Sequence, residues 1–253
     1  MKPPARCILQ LLGPRVSYRR SRATVATASR SEPPNVAPDP TMYQNLLHSA
    51  SRAGFALEAW AILDDMLLIG LQPTTRPFYQ LLWALRHKHS TYAWKVGQKM
   101  DQLRIPPDTT IFSLSIHRFI RDRNLEMALR HLYIARSRDI LPTTTVVCAM
   151  TQLAAELGFP RLAVDLAISY GIQTTGLRNR LVWANCLRSS ADHFYAEGVL
   201  TCWDVMKESH LDLDLDEGLC SLLLDFAART GLPNFADEVL QRMREMGYNV
   251  QEH

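Results

Sequence analysis

Apolar residues in the stretch from Tyr43 to Thr74 fall into two runs at helical spacing. Leu46, Leu47 and Ala50 form the first, and Ala59, Ile62, Leu63 and Met66 the second. Steps of three and four keep each set on one helix face, so two amphipathic helices are predicted. Gly54 stands between them and suits a tight turn. Gly70 suits the left-handed position that ends a helix, and Pro73 prevents the second helix from continuing. A hairpin of this size leaves apolar surface that it cannot cover by itself.

The same pattern returns down the chain. With Tyr43 as marker, Phe78 lies 35 residues on and Phe112 a further 34, each opening an apolar helix. A small residue follows at fifteen or sixteen (Ala59, Ala93, Ala128), and the closing stretches DDMLLIGLQPT, QKMDQLRIPPD and YIARSRDILPT share one pattern. Val147, Trp183 and Cys220 lead three later repeats, with Gly158, Ala163, Met206, Gly231, Ala236, Met243 and Gly247 in register. Six repeats starting near 43, 78, 112, 147, 183 and 220 occupy residues 41–250. Hairpins of this period cover one another's open faces by stacking, which predicts an all-α solenoid of helix-turn-helix repeats.

Charge changes the picture at the N-terminus. Residues 1–31 hold seven Lys or Arg and no acid, with a Ser- and Thr-rich SRATVATAS. That composition predicts an organelle transit peptide, a disordered basic arm being the alternative. EPPNVAPDP, residues 32–40, reads as a Pro-rich linker. Beyond it, residues 36–253 carry 21 basic and 24 acidic residues, a net of −3, so any affinity for nucleic acid must be local. Residues 76–138 carry a net +8 and residues 192–253 a net −9. The five Cys are scattered without a CxxC pair, which predicts buried thiols rather than a metal site or a disulfide framework. No apolar run approaches the length of a membrane span.

The ~35-residue period, the aromatic opener, the mid-repeat Gly and the closing Pro73-Thr74, Pro107-Asp108 and Pro142-Thr143 resemble the pentatricopeptide repeat family. The likeness is strong in repeats one to three and six, and weaker in four and five, where the Pro is missing. It implies a right-handed α-solenoid and a protein that binds single-stranded organellar RNA one nucleotide per repeat. With the leader, it points to the mitochondrial matrix, a plastid being the other destination of such a protein, and to a role in transcript processing, stability or translation.

In that family the first helix of each repeat lines the RNA side. Residues one, five and nine after the marker share a helix stripe: Gln44, His48 and Arg52; Tyr79, Trp83 and His87; Ser113, His117 and Arg121. A cation recurring once per repeat suits a phosphate backbone, with Lys88 and Arg123 close in sequence. Tyr79 and Trp83 suit stacking on bases, unless they are core. The stripes of repeats four and five end in Glu156 and Asp192, which repel phosphate. The acidic C-terminal third suits a basic protein partner or simply keeps the solenoid end soluble. The resemblance assigns base reading to the pairs Gln44/Thr74, Tyr79/Asp108 and Ser113/Thr143. The family's usual choices are Asn, Thr or Ser with Asp or Asn. Only Ser113 and Asp108 are familiar types, and they fall in different pairs, so sequence-specific reading of a long RNA is not expected.

No metalloprotease, phosphate-loop or serine-hydrolase motif occurs, and the expectation is a binding protein with no cofactor and no catalysis. The rival expectation is a scaffold that binds proteins in a mitochondrial assembly such as the ribosome.

Overall fold

The structure is a computed structural model that describes residues 39–172, 177–208 and 215–248. The leader and most of the linker lie outside the described residues. Among the described residues the chain forms twelve α-helices and no strand. They come in six consecutive pairs: α1 (Pro40–Ala53) with α2 (Ala56–Leu68), α3 (Thr75–Ala84) with α4 (Thr91–Gln102), α5 (Thr109–Arg121) with α6 (Leu125–Ser137), α7 (Thr144–Glu156) with α8 (Pro160–Ser169), α9 (Leu177–Asp192) with α10 (Ala196–Glu208), and α11 (Glu217–Thr230) with α12 (Pro233–Glu245). Each pair is one predicted repeat, and the expected helical-repeat architecture is found.

The periodic positions are the core. All six markers, Tyr43, Phe78, Phe112, Val147, Trp183 and Cys220, are buried. So are Ala59, Ala93, Ala128 and Ala163 at the helix-helix approach, and Met66, Met100, Ala135 and Met206 further along the second helices. Leu47, Ala50, Ile62 and Leu63 are buried as predicted, whereas Leu46 is half-buried. Cys148, Cys186, Cys202 and Cys220 are buried and form no disulfide. Burial pushes the Cys186 thiol up to about 12, so it stays protonated at neutral pH.

Backbone hydrogen bonds explain the sharp repeat ends. At the end of α2, Gly70 N–H donates to Leu67 O and Leu71 N–H to Met66 O, at 3.1 Å each, with Gly70 at φ +82°. This paired closure satisfies carbonyls that a helix end would otherwise leave unbonded. Repeats two and three make the same closure with Arg104 and Asp139 at φ +56° in place of Gly. A non-glycine residue there costs roughly 1–2 kcal/mol, which the surrounding closure bears.

The second repeat departs from the others. Its first helix ends in a short 3-10 turn, Leu85–His87, in the repeat where Ala93 comes one residue early. Tighter winding takes up the missing residue.

Contacts divide the chain into two blocks, one ending at Ile111 and the other beginning at Phe112 within α5. In the N-terminal block, α1 packs on both α2 and α3. In the C-terminal block, α7, α9 and α11 pack in succession, each with its own second helix. One continuous apolar cluster there runs from Leu125 to Met243. No described helix is long and apolar enough to cross a membrane.

Candidate nucleic-acid interface

Side chains needed for packing point inward from α1 and α3, and the residues between them face out. On α1, Gln44 is half-buried while His48 and Arg52 are exposed. The Arg52 guanidinium has no ion pair or hydrogen bond among the described residues. On α3, Tyr79 is 39% and Trp83 42% exposed, so neither is core and both offer ring surface to solvent. Thr74, exposed and extended at φ −90°, precedes α3 without using its hydroxyl as a cap.

His87 requires a correction to the predicted stripe. It is exposed, but it sits in the 3-10 turn rather than in α3. The tighter winding carries it off the line that Tyr79 and Trp83 share. Beside it stands a residue that the periodicity did not select. Arg86 Nη1 donates to Ser51 O at 2.8 Å, and Nη2 to Arg52 O at 3.4 Å. Its guanidinium also lies 5.9 Å from the Trp83 ring centroid. A cation at the carbonyl end of α1 is favoured by the helix dipole, and the same group backs the Trp83 ring. Its sequence signal is a spacing of three from Trp83 and of about one repeat from Ser51.

Asp108 is exposed, but its Oδ1 accepts from Ile111 N at 2.8 Å and so caps the first turn of α5. One of its two oxygens is thus engaged in structure. Thr143 is exposed and makes no side-chain cap before α7.

The third stripe, in the C-terminal block, is less open. Ser113 Oγ is buried without a hydrogen-bond partner, and His117 is half-buried. Arg121 is exposed but held by its neighbour, with Nε and Nη2 at 3.0 and 2.9 Å from Asp122 Oδ1. Arg123 is bound to Glu156 at 3.1 Å, Arg188 to Asp216 at 2.9 Å and Arg229 to Asp225 at 3.0 Å. A cation neutralised by a carboxylate contributes little to phosphate attraction until that pair opens. Further along, a cleft of about 570 Å³ between α7 and α9 has Glu156 and Asp192 in its wall. These are the carboxylates expected to keep phosphate away. No cluster of metal-ligating side chains occurs among the described residues.

No family model matches this chain, and no curated protein does. Solved structures do. The maize pentatricopeptide repeat protein PPR10 is similar at a TM-score of 0.55 and 21% identity, over 86% of this chain and 31% of that one. The pentatricopeptide repeat domain of Arabidopsis thaliana protein-only RNase P 1, solved in complex with tRNA, is similar at a TM-score of 0.57 and 14% identity. That match covers 74% of this chain and 98% of that one. The chain therefore spans about a third of the length of the maize protein and nearly all of the Arabidopsis domain. At these identities the likeness lies in the fold, which is the pentatricopeptide-repeat fold.

Proposed function

We propose that this chain is a pentatricopeptide-repeat protein of the mitochondrial matrix that binds unpaired RNA through its first two repeats. The observation that carries this reading is the pair of exposed rings, Tyr79 and Trp83, on α3, with the unpartnered Arg52 guanidinium on the adjoining α1. Rings offer any base a stacking surface, and the cation offers a phosphate its counter-charge. Arg86 behind Trp83 restrains the indole without covering it.

This is binding without a strong sequence preference. Stacking accepts every base, Asp108 has one oxygen engaged in its cap, and Gln44 with Thr74 matches no usual base-reading pair. The neighbour of the same fold solved with tRNA supports the RNA reading, and the Arg- and Ser-rich leader supports the organellar one. The role that follows is in handling of mitochondrial transcripts, as a binding protein and not an enzyme.

The test is fluorescence anisotropy of the full chain with labelled oligouridylate and oligoadenylate, against duplex RNA. Trp83→Ala and Tyr79→Ala should each weaken single-strand binding about 5- to 100-fold, in line with roughly 1–3 kcal/mol per stacked base. Arg52→Glu should weaken it most at low salt. Thermal unfolding of each variant controls for misfolding. Absence of binding at 50 mM salt, or equal binding by Trp83→Ala, would remove the proposal.

A further inference from the structure

The second helices carry an anomaly in the first two repeats that RNA binding through α1 and α3 does not use. The residue fourteen after the marker opens each second helix on its outer side. In repeats three to six it is Glu126, Arg161, Glu197 and Asn234, all exposed and polar. In repeats one and two it is Leu57, 76% exposed, and Tyr92, 39% exposed. On α2 the outward line continues at helical spacing through Trp60 and Ala61 to Leu68, which is 73% exposed. The inner line of the same helix is Ala59, Ile62, Leu63 and Met66, all buried. A helix apolar on both faces belongs in an interior, yet one face of α2 meets solvent.

The Leu57 end of that face is concave. Leu57, Trp60 and Tyr92 line a groove of about 470 Å³ between α2 and α4, with Lys88 and Lys95 also in its wall. Its one carboxylate, Asp64, is bound by Lys99 at 3.3 Å. Lys95 stands 5.4 Å from the centroid of the Tyr92 ring. The groove is thus an apolar floor with a net positive rim.

We infer that this groove docks an acidic amphipathic helix from a protein partner, apolar side chains into the floor and carboxylates toward Lys95 and Lys88. Helix-in-groove recognition needs an apolar trough flanked by charges opposite to those of the incoming helix, and both are present. The docking face lies on second helices and does not rest on the RNA reading of α1 and α3.

The probe is a labelled synthetic helical peptide with Leu or Phe at i, i+3, i+4 and i+7 and Glu elsewhere, beside a twin with Lys for every Glu. The full chain should bind the acidic peptide and bind the basic twin about tenfold or more weakly. Leu57→Asp and Lys95→Glu should each reduce acidic-peptide binding about tenfold or more. Both positions are exposed, so the fold tolerates the changes, and RNA anisotropy should be unaltered by Leu57→Asp. Equal binding of both peptides, no binding, or binding unmoved by both variants would overturn the inference. So would Leu57-dependent adsorption to phosphatidylserine vesicles, Leu57-dependent self-association in sedimentation, or loss of RNA affinity in Leu57→Asp.

Discussion

Gly158 and Gly70 both hold left-handed backbone, at φ +78° and +82°, but in different surroundings. A Cβ at Gly70 would meet nothing within 4 Å, whereas one at Gly158 would lie 2.7 Å from His193 Nε2. His193 is held in place by its Nδ1, 2.9 Å from Ser189 O. Gly70→Ala should therefore cost about 1–2 kcal/mol of backbone strain. Gly158→Ala should cost that and roughly 1 kcal/mol more, because the imidazole must leave its hydrogen bond. Urea unfolding of both variants checks this; equal losses would show that His193 moves aside freely. At the same scale, the sequence marks Gly158 as a turn glycine, but the ring above it belongs to the next repeat. Arg86 is the parallel case: its identity is plain in the chain, and its contacts with Ser51 and Arg52 exist only once two repeats stack.

Between helices, polar links recur at about the repeat period. Lys99 reaches Asp64 from α4 to α2, and Ser189 Oγ donates to Ala155 O from α9 to α7 at 3.0 Å. The last such link joins α10 to α12, where Trp203 Nε1 and Lys207 Nζ both donate to Glu238 Oε2, at 2.9 and 2.8 Å. Those hydrogen bonds, Lys207 first, hold the Glu238 carboxyl below the usual carboxylate range. A carboxyl lowered on folding stabilises above its unfolded pKa of about 4.5, and that contribution fades as pH falls through the folded value. Glu238→Gln should therefore lose stability at pH 7, and its deficit should shrink as pH falls below 4.5, by denaturant unfolding at each pH. A constant gap between the two proteins would show that the carboxylate's charge plays no part. These links were illegible in the sequence, since nothing local distinguishes Glu238 from the acids around it. The helices that carry them were legible, because burial periodicity and the Gly and Pro stops act within a few residues.

Across the whole chain, the net +8 over residues 76–138 overstates what an RNA would feel. Arg121 and Arg123 are held by Asp122 and Glu156, and Asp108 and Asp122 lie within the same stretch. The proposed binding face that remains open is short, so few phosphates would contact it. The logarithm of RNA affinity should fall with the logarithm of salt at a slope of about −1 to −2, at roughly −0.7 per phosphate for single strands. Affinity measured from 50 to 300 mM salt gives this slope. A value of about −5 or steeper would mean that the basic region as a whole grips the RNA. The acidic stretch from Asp192 onward, at net −9, opposes nucleic acid at that end of the chain.

By itself the sequence determined the repeat, its register, the six markers and the positions of the turns, because each follows from apolar spacing and backbone punctuation over one hairpin. It also determined which residue types the first helices carry at positions one, five and nine. Only the tertiary structure decided which of them are available. Tyr79 and Trp83 lie outside the core, Ser113 Oγ inside it, His87 off the helical line, and Arg121 against a carboxylate while Arg52 stands open. The physical reason is that exposure depends on neighbours a repeat away in the chain, which stacking brings within a few ångströms, and that Arg121 meets the adjacent Asp122 only through the side-chain geometry of the folded helix end.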